Sequence, residues 1–408
     1  MNSVVGIADA HYVRTLAILS TLMAFASIST DLFLPALPTM ALALKAPSGS
    51  LQFTISGYLV GFSLGQLVWG PVADRYGRRK PIAVGLLFFV LGSAGCAMAG
   101  SVEMLIVWRV VQALGACASV VLSRAIVRDM FHGTRAAQVM STLMTVMAIA
   151  PLIGTSVGSI ILQFGSWRVI FWALVAVGLA TLAALHFLPE TLPVERRRHE
   201  SLSRAFQGYA ELIVHRPLLG SIGVVAFYYG GTFAYIAGSP FAYIDYYHIS
   251  PHSYGLLFAA GIVGIMILNQ ANSRLLRRYR SDILVRVGCA GAAITGVLTA
   301  FDAWTGFGGL LGLVLPLFVF ISASGLIAAN SMASALNHFP DRAGAVSALM
   351  GALQYGMGII GSALVGLLND GTPWPMAVVI ALASISGLLC AVFLLPRGCS
   401  VVFNGTCR

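Results

Sequence analysis

The chain has 408 residues, of which 58% are hydrophobic and only 9% charged, with a mean hydropathy of +0.88, whereas a soluble domain carries about 25% charged residues. That balance excludes a water-soluble enzyme and a nucleic-acid-binding domain. The formal net charge of +10 is instead expected of a polytopic membrane protein, whose positive charges collect in cytoplasmic loops.

A helix needs about 20 apolar residues to cross a bilayer, and inside the bilayer it must satisfy its own backbone polar groups. Twelve stretches qualify: 14–36, 50–70, 81–100, 104–126, 137–163, 167–188, 217–239, 252–273, 283–301, 308–332, 342–368 and 374–395. We number them spans 1 to 12. Ala24-Phe25-Ala26 in span 1 has the small-x-small form of a signal-peptide cleavage site. The stretch is too long for that role and carries Asp31, so it is expected to stay as a span.

With the N-terminus in the cytoplasm, the cytoplasmic segments hold Arg14, Arg75, Arg78, Arg79, Lys80, Arg124, Arg128 and Arg135. The middle loop adds Arg196, Arg197, Arg198, Arg204 and Arg216. Later loops and the tail add Arg274, Arg277, Arg278, Arg280, Arg286, Arg342, Arg397 and Arg408. Together these are 21 of the 24 basic side chains. Lys45 and Arg168 remain outside and Arg109 lies within span 4, so both termini are expected in the cytoplasm.

The longest polar interval, 189–216, divides the spans six and six. It reads as a linker between an N-terminal half, 1–188, and a C-terminal half, 217–408. Arg75-x-x-Arg78-Arg79 after span 2 recurs as Arg274-x-x-Arg277-Arg278 after span 8, which supports duplication. The expected fold is all-α, twelve transmembrane helices in two six-helix halves related by a pseudo-two-fold axis, with a substrate site between them.

Ionisable groups inside a membrane are costly and need a reason. Asp31 is expected near the outer end of span 1. Arg109 lies roughly 8–9 Å into span 4 from the outer side, and Gln112 shares its face three residues on. Either Asp31 and Arg109 communicate, directly or through water, and form a proton-coupling site, or Arg109 is held by carbonyls and Gln112 for packing alone. In span 5, Ala150, Gly154 and Gly158 make a small-residue face beside Pro151, and span 11 has Gly358, Ser362 and Gly366. These serve packing, or also a hinge and seal where the halves meet.

Span 7 is aromatic. Tyr235, Phe241 and Tyr243 are expected as an outer-interface belt; Phe227, Tyr228, Tyr229 and Phe233 line a cavity or pack on lipid. Tyr58, Gln66, Trp172, Asn269, Asn330 and Gln354 are further candidates for a substrate cavity. Cys96, Cys117, Cys289 and Cys390 lie in apolar stretches, and Cys399 and Cys407 follow the last span; all six are expected as free thiols. No Cys/His cluster has metal-ligand spacing. No ATP-binding or catalytic motif is present, so neither a cofactor nor an enzyme activity is expected.

Between spans 2 and 3 the chain reads G-P-V-A-D-R-Y-G-R-R-K-P, from Gly70 through Asp74, Arg75, Gly77, Arg78 and Arg79 to Pro81. Span 4 carries Arg109-x-x-Gln112-x-x-Gly115. Span 1 carries S-T-D-L-F-L-P-A-L-P, Ser29 to Pro38, and S-P-F-A-Y-I follows span 7. With these motifs the chain resembles the twelve-span drug:proton antiporters (DHA1) of the major facilitator superfamily, and within them the bicyclomycin-resistance (Bcr/CflA) branch. One departure is Thr155, where the family's span 5 signature usually has proline after the glycine.

The resemblance implies a conformational switch at Gly70, Asp74, Arg75, Gly77, Arg78 and Arg79. Asp74 would engage the N-terminus of span 11 near Asp341-Arg342 when the cytoplasmic side is closed. It implies a proton-coupling role for Arg109. The expected activity is proton-driven export of small hydrophobic or amphipathic drugs, with protons and the lipid bilayer as the other partners, no nucleic acid, and a functional monomer. The alternatives are a proton-coupled uptake permease on the same fold or a non-transporting sensor.

Overall fold

A computed structural model of the chain describes residues 2–197, 202–339 and 342–395. The expectations placed on Arg198, Asp341, Arg397, Cys399, Cys407 and Arg408 lie outside the described residues. Among the described residues, 12 helices are long and apolar enough to cross a membrane: Tyr12–Ala43, Gly49–Tyr76, Arg79–Met98, Val102–Met130, Gly133–Phe164, Trp167–Phe187, Leu218–Tyr246, Pro251–Leu275, Ser281–Thr305, Gly309–His338, Ala343–Leu367 and Trp374–Phe393. These keep the numbers of spans 1 to 12. The chain is all-α, and its spans form two six-helix halves. In the first, span 4 packs on spans 1, 2 and 3; in the second, span 7 packs on spans 11 and 12, and span 9 on spans 10 and 12. The halves meet along two seams, span 2 against span 11 and span 5 against span 8.

Two helices differ from their expected limits, and proline is involved in both. Span 2 does not stop at Gly70-Pro71. The helix runs Ser48–Tyr76 with Pro71 inside it. Proline at 71 cannot donate to the carbonyl four residues earlier, and that carbonyl, Leu67 O, accepts from Tyr209 Oη at 3.3 Å. Span 1 extends well past residue 36. Its long helix, Asn2–Asp31, ends in a bend before one 3-10 turn, Leu34–Ala36, and a short helix, Leu37–Ala43. Pro35 and Pro38 deny the bend two donors, so the helix breaks inside the span rather than at its end.

Tyr209 belongs to a helix in the linker, Leu202–Leu212. Its Tyr209 and Leu212 are buried in an apolar cluster with Leu218 and Ile222 of span 7, Ala335 of span 10, and Val346 and Leu349 of span 11, packed against Leu67 of span 2. The interval that reads as a polar linker therefore also fastens the two halves on the face that carries it. We call this the linker face, and the opposite side the far face.

The halves close on the far face. Ser159 Oγ of span 5 donates to Pro251 O of span 8 at 3.0 Å. Span 7 ends as a π-helical turn, Phe241–Tyr246, which turns Phe241 and Tyr243 inward. The expected lipid-facing belt is instead a buried plug. Tyr235, Phe241 and Tyr243 are all buried; Tyr235 stacks on Phe258 at 5.8 Å and Tyr243 meets Tyr254 at 6.1 Å. Toward the linker face, span 5 presents Gln138, Ser141, Thr142 and Thr145 as an exposed polar stripe. The hydroxyls of Thr142 and Thr145 bond carbonyls one turn back in the same helix.

Candidate proton-coupling site and transport pathway

The break in span 1 builds the first site. A helix leaves its last carbonyls without intrahelical donors, and one of these, Ser29 O, accepts from Arg109 Nη1 at 2.8 Å. The same nitrogen donates to Gln112 Oε1 at 2.5 Å. Gln112 Nε2 in turn donates to Ser93 Oγ of span 3 at 2.8 Å. The guanidinium lies between two rings, 4.2 Å from the centroid of Phe33 and 4.3 Å from that of Tyr58, which favours a desolvated cation. Tyr58 Oη and Ser29 Oγ are 2.6 Å apart. Arg109 and Gln112 are fully buried, and Arg109 Nε and Nη2 have no hydrogen-bond partner among the described residues.

Asp31 stands at the break, buried, deeper than the outer span end where the sequence puts it. No ion pair joins it to Arg109 among the described residues, but the two charges are within electrostatic reach. Span 5 packs directly on this point. A Cβ at Gly154 would touch Asp31 Cβ at 3.3 Å, and one at Gly158 would run into the Leu32 carbonyl. Spans 5 and 11 are thus not partners in one seam. The glycine face of span 5, beside Pro151, seats span 1, while Gly358 of span 11 faces Phe233 of span 7 and Leu59 of span 2.

The loop between spans 2 and 3 shrinks to Gly77 and Arg78, since one helix ends at Tyr76 and the next starts at Arg79. Gly77 has φ +88, and a Cβ there would meet Glu190 Oε2 at 2.6 Å. Arg78 bridges two acids, Asp74 at 2.7 Å and Asp129 at 2.8 Å. Glu190, at the start of the linker, accepts from the backbone N–H of Arg78 at 2.8 Å, Arg79 at 3.2 Å and Leu192 at 3.0 Å. Burial raises the Glu190 pKa, but these N–H bonds more than offset it and leave the carboxyl below its usual value. The helix N-terminus held by a carboxylate is therefore that of span 3, held by Glu190. Asp74 bonds within its own half, and Arg342 at the start of span 11 pairs with Glu211 at 2.8 Å. Gly70 has nothing within 4 Å of its Cβ direction, and Arg75 lies over Tyr76 at 5.5 Å.

Between the halves, rings from both sides form a wall. Phe62 and Tyr355 are 4.5 Å apart, Phe233 and Tyr355 5.8 Å, Tyr229 and Phe233 6.3 Å, and Tyr58 and Phe62 6.0 Å. Tyr58, Tyr229 and Phe233 are in this group. Gln66 lies at the seam beside Gly351. Tyr228 turns into the C-terminal half, donating to Phe320 O at 2.8 Å and Ile321 O at 3.1 Å. Asn330 pairs with Asn272 at 2.8 Å and clasps span 10 to span 8. Gln354 is half-buried, Trp172 exposed. Tyr228 and Asn330 thus spend their polar groups on packing, because each finds a partner inside its own half.

Three groups escape notice in the sequence. Tyr355 is adjacent to the Gln354 singled out. Glu190 and Asp129 meet Arg78 only through the fold. Arg124 counts in the sequence only as a cytoplasmic-side charge at the end of span 4, yet its Nε is enclosed without a partner among the described residues.

The family model of the Major Facilitator Superfamily matches residues 19–362. The chain is 35% identical over 381 residues to the uncharacterized MFS-type transporter YdgK of Bacillus subtilis (strain 168), covering 91% of this chain and 93% of that protein. It is 29% identical to the bicyclomycin resistance protein homolog of Haemophilus influenzae, covering 95% and 96%. It is 30% identical to the chloramphenicol resistance protein of Pseudomonas aeruginosa, covering 89% and 86%. Among solved structures, a D-xylose-proton symporter superposes with a TM-score of 0.75 at 17% identity, covering 96% of this chain and 98% of that one. The partially occluded inward open xylose transporter XylE of E. coli gives 0.72 at 16%, covering 94% and 97%. At such identities these two show the fold alone. Twelve spans, two halves, the arginine-rich turn and these relatives agree: the chain is a multi-pass membrane transporter that belongs to the Major Facilitator Superfamily.

Proposed function

We propose that the chain is a drug:proton antiporter that exports small hydrophobic or amphipathic compounds, bicyclomycin- or phenicol-like antibiotics among them. The carrying observation is the arrangement at the break of span 1: a buried Arg109 bonded to a carbonyl freed by that break, with Asp31 beside it. The names of the relatives support the substrate class. In this reading the linker face is cytoplasmic, the membrane is the bacterial inner membrane, the halves are 1–188 and 217–408, and the transporter works as a monomer without a cofactor.

The chemistry is differential stabilisation of one charge. Asp31 at a helix C-terminus faces carbonyl dipoles that disfavour a carboxylate, and Arg109 favours it. Protonation removes the acid's hold on the guanidinium, which then relies on Ser29 O, Gln112 and two ring faces. Since Gly154 and Gly158 rest on Asp31 and Leu32, a shift at the break moves span 5, and span 5 carries the far-face contact to span 8. Proton occupancy is thus tied to far-face closure, as alternating access requires.

The test is counterflow in vesicles under an imposed pH gradient. Chloramphenicol should move against the protons, and Asp31→Asn should abolish coupled movement while folding normally. Normal proton-driven efflux by that variant would remove Asp31 from the mechanism. Drug moving with the protons would make the chain an uptake permease.

A further inference from the structure

We infer that Arg124 is a substrate-recognition residue, and that the cavity therefore selects compounds with an anionic or acceptor-rich group and disfavours lipophilic cations. The inference rests on the export reading above and names its substrate class.

Arg124 lies on span 4, roughly 22 Å along the helix from Arg109 toward the linker face. Its guanidinium is permanently charged. Its described hydrogen-bond partner is the thioether Sδ of Met147, at 3.9 Å, and a thioether is a weak acceptor. Its Nε is shielded from solvent and unbonded among the described residues, and a buried unsatisfied donor is costly enough to need an explanation. No acid pairs with it among the described residues; Asp129, the acid closest in sequence, is spent on Arg78 and Thr191.

What surrounds it marks the transport pathway. Tyr229 of span 7 and Tyr355 of span 11, both from the opposite half, lie within its electrostatic reach. Those two belong to the ring wall between the halves. Met147, the one described hydrogen-bond partner, sits on span 5 of its own half. A cation between the halves, with two tyrosines of the opposite half in reach and no paired acid among the described residues, offers charge-assisted hydrogen bonds to a ligand oxygen. Arg128, one turn nearer the linker face, adds a like charge, so the local field is positive and opposes a cationic ligand.

The experiment measures equilibrium binding to the purified full chain in nanodiscs, by quenching of intrinsic fluorescence. Three aromatic probes are compared: nalidixate, a carboxylate; chloramphenicol, neutral and acceptor-rich; and tetraphenylphosphonium, a cation. The wild type is expected to bind the first two at least about tenfold tighter than the third. Arg124→Gln should weaken nalidixate at least about tenfold, the scale of one lost charge-assisted bond, and leave tetraphenylphosphonium no weaker. Arg124→Lys should restore part of the loss.

Unchanged nalidixate affinity in folded Arg124→Gln would overturn the inference. So would wild-type protein that prefers tetraphenylphosphonium or binds neither oxygen-rich probe; this arm stands even if the variants do not fold. Binding as expected without proton-driven counterflow would sink the antiport reading and spare Arg124. Counterflow of the cation with no carboxylate preference would do the reverse.

Discussion

Gly158 and Gly70 are both glycines in spans that touch the mechanism, yet the space around them differs completely. A Cβ at Gly158 would collide with the Leu32 carbonyl, whereas one at Gly70 meets nothing within 4 Å. Gly158→Ala must push span 5 off the break in span 1, an overpacking penalty of about 1–3 kcal/mol. It is expected to lower the melting temperature in detergent and to reduce transport. Gly70→Ala sits in a helix interior, where alanine is favoured over glycine by about 1 kcal/mol, and should melt no lower than the wild type. Paired melting curves decide this; a neutral Gly158→Ala would mean that spans 1 and 5 are not in rigid contact. Part of this was legible in the chain alone. Arg109 and Gln112 are three apart on one helix, so their bond is local and readable. Ser29 and Tyr58 reach Arg109, and Ser93 reaches Gln112, from three other helices, and no spacing rule specifies those meetings.

At the scale of elements, Glu190 ties the turn between spans 2 and 3 to the linker. Its carboxyl is held below the usual pKa by N–H bonds from Arg78, Leu192 and Arg79, which outweigh its burial. A lowered folded-state pKa contributes stability that is fully present above the unfolded value and is lost as pH falls through the folded value. Glu190→Gln should therefore melt below the wild type at pH 7, by an amount on the order of a helix-terminus interaction, about 0.3–1 kcal/mol. The two curves should converge as pH drops below the ordinary carboxylate range. A gap that persists at low pH would show that shape, not charge, matters there.

Tyr209→Phe tests the other tie. Losing the donor to Leu67 O leaves the carbonyl opposite Pro71 unpaired, and span 2 should exchange its amides faster around Pro71 than in the wild type. Unchanged exchange would mean that another donor serves that carbonyl. The twelve spans were legible because apolar length is a local property. Their breaks were not: Pro71 reads as a terminator until a tyrosine 138 positions later covers the freed carbonyl. The tyrosines after span 7 read as a lipid belt by composition, and only the π-helical turn buries them. Arg124 reads only as a cytoplasmic-side charge at the end of span 4, because a topological count registers sign and side, not what a helix faces.

For the whole molecule, the two seams must behave differently if access alternates. The far-face contact is closed here, and the stripe on span 5 is exposed toward the linker face. Ser56 of span 2 and Ser362 of span 11 lie near the far-face ends of their helices, with their hydroxyl oxygens 2.7 Å apart. Two side chains that close can support a disulfide, which needs Cβ atoms about 3.5–4.5 Å apart. Ser56→Cys with Ser362→Cys, in a background with the native cysteines replaced, should cross-link in high yield on mild oxidation. The cross-link should stop transport and a reductant should restore it, because opening the far face requires that seam to part. Ligand binding from the linker face should survive in the cross-linked state. A single Thr145→Cys, on the open side, should react with a hydrophilic maleimide before and after cross-linking alike. Full transport by the cross-linked protein would show that the span 2–span 11 seam stays shut through the cycle, leaving the span 5–span 8 seam to gate alone.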